Sequence, residues 1–495
     1  MARHMKNGQG LPTGELWGYA SGESVNSIAI NGISNYALLF YTQVMGLDPE
    51  KAALALGIAT LWDAISDPIM GTITDHTNTR FGRRHPYMVV GGLVFALAFM
   101  ALWTIPETFQ GENALFTYLA VLNIVVKTAF TVFVVPYTAL GFEMCKTYDD
   151  RARLQGVRYG FNMFVNIVTG GFGWVLFFPD GQAPDGSRID GSKIEANYHT
   201  MGIVLGIVTL ALILFCVFVT YKYAHLGPAV KRSTSGRGAG AAIRAFFHDV
   251  RDVFSDKLVW FVFGFFVVAQ FSMLIVSQVQ MFTYVEYMKF TAVEKTFVHT
   301  GGMVAFAIGS LVLGSMVRRL DKKRTGYVAM CIASAGGLGL YAVFIGGMLD
   351  PQSTIGNFPI AVPVFGLLQM MWWGGCGIIV PLATSMIADL SEIKKWQTGQ
   401  VTEGRYAAGF SFFLKLAISL GLFVTGYILH FVGYISGAET QAPAAVHNLA
   451  VTTFLAGPLL MVFSFTVLRR YPITHESMSA MREQYEAGQA TPPAD

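Results

Sequence analysis

Twelve long apolar stretches, joined by short polar segments, leave this chain few ways to fold. A helix that crosses a membrane needs about 20 mostly apolar residues, and such stretches lie near 24–46, 51–74, 87–106, 113–140, 155–178, 199–222, 258–282, 296–317, 326–348, 359–388, 406–434 and 447–468. Only 13% of the 495 residues are charged, whereas soluble proteins average about 25%. Soluble cores stop growing beyond roughly 250–300 residues, so lipid must cover this apolar surface. The sequence therefore predicts an all-α polytopic membrane protein with twelve transmembrane helices.

The stretches, numbered here as spans 1 to 12, fall into two sets of six. The polar segment between the sets has apolar residues at helical spacing over 241–254, which predicts a helix on the membrane surface. A short basic loop follows the second span of each set, at 71–84 and 314–324. Such an internal repeat is typical of transporters with two six-helix halves. We predict an N-terminal bundle (1–222), a cytoplasmic middle loop (223–257), a C-terminal bundle (258–470) and a cytoplasmic tail (471–495).

Lysine and arginine are unevenly distributed over the loops. If the N-terminus is cytoplasmic, outer loops hold only five of the 34 basic residues, and two lie inside spans. Basic residues accumulate on the cytoplasmic side, so we expect both termini in the cytoplasm of a bacterial-type inner membrane. The net charge of +3, without a basic stripe or an enzyme motif, predicts no nucleic-acid partner, no enzymatic activity and no cofactor. No obligate protein partner is indicated.

Span 2 carries two carboxylates inside an apolar stretch. Asp63 and Asp67 are four residues apart and share one helical face, with Ser66 beside them. An ionisable residue at mid-membrane costs about 2.5–3.5 kcal/mol, so each is a candidate functional residue. Two neighbouring carboxylates cannot both stay ionised without a positive partner. Na⁺ bound to Asp63 and Asp67, a bound proton or a nearby lysine would supply it; alternatively, the pair is structural and reaches water at the cytoplasmic end.

Other candidate residues of the same site lie in spans 4, 5 and 11. Lys127 would offer a fixed positive charge, and Thr131, one turn later, an oxygen ligand. If Lys127 faces the acids, we expect weak Na⁺ binding and proton coupling. If it turns toward span 1 and pairs with Glu23, a normal Na⁺ site remains. Arg158 near the start of span 5 and Lys415 in span 11 either belong to the site or make structural contacts.

Span 1 carries a polar stripe along one side. Its members, spaced three, one, four and four residues apart, are Glu23, Asn26, Ser27, Asn31 and Asn35. A helix surrounded by lipid would not carry them, so they line a cavity, which is the interpretation we favour, or a contact between helices. In span 10, Trp372 and Trp373 either stack on a sugar ring or serve packing.

One segment is more specific than these patterns. WDAISDPIMGTITDHTNTRFGRRHPY, residues 62–87, resembles the WDAxxDPxxG segment and basic loop of the glycoside–pentoside–hexuronide cation symporters, a family of the major facilitator superfamily. The similarity runs from 17 to 472, with weaker matches at Phe40-Tyr41-Thr42, Pro136-Tyr137 and Ala388-Asp389. The resemblance implies the major facilitator fold, which has two pseudo-symmetric six-helix bundles around a central cavity, and transport by alternating access.

The resemblance also implies site residues. Its cation site maps onto Asp63, Ser66, Asp67 and Thr131. In galactoside-type members an acid of span 4 binds the sugar, and that position is Val134 here, which puts galactoside recognition in doubt; a second acid, in span 1, falls at Ser27. The predicted solute-binding residues are Glu23, Asn26, Ser27, Asn31, Lys127, Val134, Arg158, Trp373 and Lys415.

These features together predict a secondary active transporter. We expect symport of H⁺ or Na⁺ with a small solute, a sugar or a glycoside, and no partner besides the solute and the lipid bilayer. The alternative is an amphiphile or lysolipid symporter of the same fold, which shares the acidic pair and the span 11 lysine and which Val134 favours. A receptor or membrane-embedded enzyme would carry a sensor or catalytic module, and the sequence shows none beyond the spans.

Overall fold

The computed structural model describes residues 11–77, 79–109, 111–145, 147–225, 239–356, 358–399 and 403–487. Within these ranges, nine helices are long and apolar enough to cross a membrane, by length and composition. One of them, the run Ala292–Ile345, provides two crossings, because Asp321 has a φ of 69° and bends the chain there. Spans 1 and 5 are also present, as helical runs interrupted by wide π turns. The prediction of twelve membrane helices is thus confirmed.

The first six spans differ mainly in how regular they are. Span 1 combines α segments Thr13–Ala20, Ser24–Ile28 and Asn35–Leu39 with a 3₁₀ turn Ser21–Glu23 and π turns Ala29–Ser34 and Phe40–Val44. Spans 2, 3 and 4 are the continuous helices Pro49–His76, His85–Trp103 and Glu112–Met144. Span 5 comprises Tyr148–Asn166, the π turn Ile167–Gly171 and Gly173–Phe177, and span 6 is Glu195–Thr220 followed by the 3₁₀ turn Tyr221–Tyr223.

The second six spans are mostly continuous helices. Span 7 is Lys257–Glu286, spans 8 and 9 are the two parts of Ala292–Leu340 with the π turn Tyr341–Ile345, and spans 10, 11 and 12 are Ala361–Thr398, Glu403–Phe431 and Pro443–Arg469. Helices outside the spans are the middle helix Ala239–Phe254 and the last helix His475–Glu486; a short 3₁₀ turn is Gly191–Lys193. Two antiparallel hairpins pair Gly181–Gln182 with Arg188–Ile189, and Thr354–Ile355 with Phe358–Pro359.

Packing explains one difference from the predicted elements and adds one contact that was not predicted. Span 1 begins eleven residues before the predicted start, because Leu16 and Tyr19 are buried and Tyr19 stacks on Tyr137 of span 4 at 4.4 Å. The middle helix is present as predicted, and its aromatic face packs on span 11. The rings of Phe246 and Phe412 lie 5.7 Å apart, so this helix packs on the protein, a contact that the sequence did not predict.

The basic loops of the two halves make equivalent contacts. After span 2, Arg84 lies 3.4 Å from Asp75 and 2.6 Å from Glu143, near the end of span 4. After span 8, Lys322 lies 2.6 Å from Asp389, near the end of span 10. Each loop thus ties the second span of its half to the fourth, as the internal repeat predicts.

The ends of the bundles remote from both termini, here called the outer end, are tied together by polar contacts. The loop between spans 5 and 6 places Lys193 2.8 Å from Glu286 of span 7, which also accepts a 2.7 Å hydrogen bond from Gln43. In the same loop Asp190 pairs with Lys295 of span 8, whose side chain is only 1% exposed. We call Gln43, Asp190, Lys193, Glu286 and Lys295 the outer closure. It joins the N-terminal half to the C-terminal half.

Candidate functional site

The two acids of span 2 meet a hydroxyl of span 4. Thr131 Oγ1 lies 2.9 Å from Asp63 Oδ1 and 3.0 Å from Asp67 Oδ1. Ser66 Oγ lies 3.2 Å from the same Thr131 oxygen. The helical spacing of four brings the carboxylates together, as predicted. Because the Thr131 hydroxyl has one proton, it can donate to only one of the two carboxylates at a time.

Lys415 of span 11 supplies the positive partner that the acids require. Its Nζ lies 3.0 Å from Asp63 Oδ2 and also contacts Asp67 Oδ2. Span 11 comes close here because Gly57 has no side chain, and the Ser419 hydroxyl donates a 2.8 Å hydrogen bond to the Gly57 carbonyl. Asp63, Ser66, Asp67, Thr131 and Lys415 form what we call the ion cluster. It joins the two halves of the protein.

The ion cluster is buried at one edge and accessible at the other. The side chain of Asp63 is 5% exposed, that of Lys415 18% and that of Asp67 35%. Carboxylate and hydroxyl oxygens are the ligands that hard cations prefer. The four predicted cation-site residues therefore lie together, and a cation would reach them from the Asp67 side.

Lys127 lies outside the ion cluster. Its Nζ is 5.7 Å from the centre of the Phe130 ring, and it forms no ion pair with any residue that the structure describes. Glu23, the alternative partner, pairs with Arg158 instead. Both arrangements expected for Lys127 are therefore wrong in this structure, and Lys415 takes the place proposed for it.

The orientation of span 4 about its helix axis explains where Lys127 lies. Trp62 Nε1 of span 2 donates a 2.8 Å hydrogen bond to Thr128 Oγ1, and Thr131 contacts both acids. The face of span 4 that meets span 2 therefore runs through Thr128 and Thr131. Lys127 stands at the edge of that face, away from the carboxylates.

The polar stripe of span 1 meets a second stripe on span 5. Glu23 pairs with Arg158 and accepts a 3.2 Å hydrogen bond from Asn162. Asn162 also donates to Ser27 Oγ at 2.9 Å. We call the stripe of span 1, together with Arg158, Asn162 and Asn166 of span 5, the amide stripe. Its ion pair neutralises the charges of Glu23 and Arg158 against each other.

The structure agrees only in part with the interpretation that the polar stripe of span 1 lines a cavity. Glu23, Ser27 and Asn31 are buried in the contact with span 5, where Asn31 Nδ2 donates to Asn166 Oδ1 at 2.6 Å. Asn26 and Asn35 remain partly exposed. Asn162 and Asn166 were not predicted, although they follow Arg158 by four and eight residues and therefore share its helical face.

The remaining predicted solute-binding residues are apolar or aromatic. Val134 is partly buried and packs against the core of the N-terminal half. Trp372 is 2% exposed and packs against Gly457 of span 12, so it offers no free ring face. Trp373 is partly exposed and covers Gly302 of span 8. Of the two tryptophans, only Trp373 remains a candidate for contact with a solute.

Comparison with known proteins shows similarity along the whole chain. Residues 18–475 match the family described as MFS/sugar transport protein. The inner membrane symporter YicJ of Escherichia coli (strain K12) is 24% identical over 481 residues, covering 97% of this chain and 96% of that protein. The isoprimeverose transporter of Lactiplantibacillus pentosus is 22% identical over 436 residues, covering 88% and 83%. The glucuronide carrier protein homolog of E. coli (strain K12) is 23% identical over 461 residues, covering 92% of each.

Solved structures share the fold at low sequence identity. A bacterial homolog of the human lysosomal transporter Spinster has a TM-score of 0.65 and 13% identity, covering 98% of this chain and 100% of that chain. A D-xylose–proton symporter has a TM-score of 0.59 and 12% identity, covering 93% and 96%. At these identities the likeness concerns the arrangement of the helices alone.

Proposed function

The chain belongs to the MFS/sugar transport protein family, and on that premise we propose that it carries a sugar or glycoside in symport with Na⁺ or H⁺. Family membership makes it a membrane transporter and not an enzyme. Two relatives, the isoprimeverose transporter and the glucuronide carrier homolog, support the solute class. The distribution of basic residues supports a bacterial inner membrane with both termini in the cytoplasm. The observation that carries the proposal is the ion cluster between the two halves.

The ion cluster is suited to hold one coupling cation. Its two carboxylates and one ammonium leave one negative charge uncompensated when all three are ionised. A proton on a carboxylate, or Na⁺ among the oxygens of Asp63, Ser66, Asp67 and Thr131, would neutralise it. Two unit charges 4 Å apart interact by about 4 kcal/mol at an effective dielectric constant near 20. The ammonium of Lys415 therefore competes with the cation for the same carboxylates.

This competition couples cation binding to movement of the halves. Lys415 belongs to the C-terminal half, whereas the two acids belong to the N-terminal half. A cation that shares the acids neutralises the ion cluster, and the bundles then rearrange only when cation and solute are both bound or both absent. Solute and cation must then raise each other's affinity by the same factor, as linkage requires.

The solute site lies between the bundles, beside the amide stripe. Asn26 and Asn35 are partly exposed there, and Arg158 retains donors beyond its pair with Glu23. Val134 provides no carboxylate, so we propose a glycoside other than a galactoside. The proposed solute contacts are therefore Asn26, Asn35, Arg158 and Trp373.

Uptake into proteoliposomes tests the proposal directly. We expect accumulation of isoprimeverose or methyl β-D-xyloside only when an inward Na⁺ or pH gradient is imposed, because the ion cluster requires a cation. Methyl β-D-glucuronide and lysophosphatidylcholine serve as the comparison solutes. Accumulation of lysophosphatidylcholine alone would favour the amphiphile alternative, and accumulation that ignores both gradients would contradict symport.

Replacing Lys415 should change the cation dependence of the protein. In Lys415→Met, we expect the apparent affinity for Na⁺ or H⁺ to rise at least tenfold, since a competing interaction of about 4 kcal/mol is removed. The measurement is the cation dependence of solute exchange and of the melting temperature of purified protein. Lys127→Met is the matched control, because it removes a lysine of span 4 that lies outside the ion cluster. A shift in Lys127→Met without one in Lys415→Met would contradict the assignment.

A further inference from the structure

Four polar side chains form a buried cluster inside the C-terminal half. Gln280 and Tyr284 belong to span 7, His299 to span 8 and Gln369 to span 10, and they are 2%, 0%, 8% and 2% exposed. Gln369 Nε2 donates to Gln280 Oε1 at 3.2 Å and contacts the Tyr284 hydroxyl. The rings of Tyr284 and His299 meet edge to face at 6.4 Å. We call these four residues the C-half amide cluster.

Three atoms of the C-half amide cluster lack a hydrogen-bond partner among the residues that the structure describes. They are Gln280 Nε2, Gln369 Oε1 and His299 Nδ1, and all three are fully buried. Native proteins leave very few buried polar groups without a partner. Three such atoms in one cluster indicate that the chain's own side chains are not its intended partners. The cluster is therefore a candidate binding site.

The open atoms define the chemistry of a matching ligand. An amide nitrogen is a donor only, and an amide oxygen is an acceptor only. An ammonium ligand would leave Gln280 Nε2 without a partner, and a carboxylate or phosphate would leave Gln369 Oε1 without one. A hydroxyl both donates and accepts, and no member of the cluster is an acid, a lysine or an arginine. The ligand class that fits is a neutral group carrying several hydroxyls.

Two of the helices that carry the C-half amide cluster border the bundle that carries the amide stripe. Gln278, which lies two residues before Gln280 and so on another side of span 7, donates a 2.6 Å hydrogen bond to the carbonyl of Ser34 in span 1. Gly170 of span 5 lies between Asn31 of span 1 and Met303 of span 8, so close that a Cβ atom at this position would lie 3.2 Å from Met303 Cε. Met303 follows His299 by one helical turn. Span 7 thus adjoins span 1, and span 8 adjoins span 5. A solute between the bundles could contact both the C-half amide cluster and the amide stripe.

We propose that the C-half amide cluster is the part of the solute site contributed by the C-terminal half, where Gln280 and Gln369 bind hydroxyls of a neutral, polyhydroxylated solute. This inference rests on the proposed function and adds the residues that select the hydroxyl pattern. A site built to hydrogen-bond a hydroxyl rejects an analogue that lacks it, because the site's polar atoms are then left unpaired. Gln280 and Gln369 therefore determine which positions on the sugar must carry a hydroxyl.

The test measures binding to purified protein of isoprimeverose, methyl β-D-xyloside and the monodeoxy derivatives of the xyloside. Gln280→Leu and Gln369→Leu should each raise the Kd of the parent sugar at least 30-fold. They should also abolish the preference of the wild type for the parent over one monodeoxy derivative. Without sugar, each single variant should melt below the wild type, because it breaks the Gln280–Gln369 hydrogen bond and leaves one partner unsatisfied. The double variant Gln280→Leu/Gln369→Leu removes both partners of that bond and should melt closer to the wild type than either single variant.

Gln278→Leu is the matched control. It changes the same residue type in the same span at similar burial, but its amide already has a partner in the Ser34 carbonyl. It should keep the wild-type preference among the monodeoxy derivatives. If the leucine variants do not fold, Gln280→Met and Gln369→Met provide the same comparison.

The outcomes separate this inference from the proposed function. If the wild type binds a sugar and both leucine variants discriminate among the derivatives as it does, the cluster holds only water, and the inference is overturned while the proposed function stands. If the wild type binds neither sugar, both are overturned. Loss of discrimination in the two variants, but not in Gln278→Leu, supports the inference.

Discussion

Asp67→Asn is expected to abolish concentrative uptake while leaving exchange of solute across the membrane intact. In the wild type, two carboxylates share one lysine, so the ion cluster attracts a further cation. The amide leaves Asp63 and Lys415 as a neutral pair, and the reason to bind a cation is gone. The accumulation ratio should then fall to about one, since without cation binding there is no coupling free energy. Uptake driven by an imposed gradient and counterflow without a gradient measure the two properties separately.

Asp185→Asn provides the control for the loss of one acid. Asp185 lies in the exposed loop between spans 5 and 6 and bonds only to nearby Ser187 in the described structure. This variant should accumulate solute as the wild type does. If Asp67→Asn also accumulates solute against a gradient, the acid pair is structural and the proposed coupling is wrong.

Lys295→Met should open the outer end of the protein. Lys295 is buried and pairs with Asp190 across the two halves. Breaking a buried pair by removing one partner costs about 3–5 kcal/mol, because the remaining charge is left uncompensated. The equilibrium should therefore shift roughly 100- to 4,000-fold toward a state in which Asp190 reaches water, since about 1.4 kcal/mol is a factor of ten. A cysteine at Met281, which is 1% exposed and lies five residues before Glu286 in span 7, would report the shift through its rate of labelling by a thiol reagent.

The labelling experiment requires two controls. Cys331 is the exposed cysteine among the four, so the background carries Cys331→Ala. Adding Asp190→Asn to Lys295→Met removes the stranded charge and should slow labelling again, as a double-mutant cycle would show. Equal labelling rates in the wild type and in Lys295→Met would show that the outer closure does not depend on this pair.

The sequence predicted the contents of the helices better than the contacts between them. Asp63 and Asp67 could be placed together because spacing along one helix fixes which side chains share a face. Which lysine reaches them depends on how separate helices pack. Span 11 approaches span 2 at Gly57 and Ser419, and this brings Lys415 rather than Lys127 to the acids. No periodicity in a single span contains that information.

Of the site residues that were not predicted, some could have been found from spacing within one helix and others depend on packing between helices. Asn162 could have been predicted from the sequence, because it follows Arg158 by four residues, the same spacing that separates Ser27, Asn31 and Asn35 in span 1. Gln280 and Gln369 could not, since each is one amide in an apolar span and only tertiary packing brings them together. The early start of span 1 likewise depends on Tyr19 meeting Tyr137.

Under the proposed coupling, the charge of the ion cluster would also determine how the protein responds to voltage. Moving one elementary charge through a membrane potential is worth about 2.3 kcal/mol per 100 mV. Glu23 and Arg158 cancel each other, so the empty cluster moves with a charge of minus one, and the cluster with one monovalent cation moves with none. A potential that is negative inside would therefore drive the outward return of the empty transporter and leave the loaded step unaffected. One cation would enter with each solute, and the cell's electrical gradient would act on the half of the cycle in which nothing is carried.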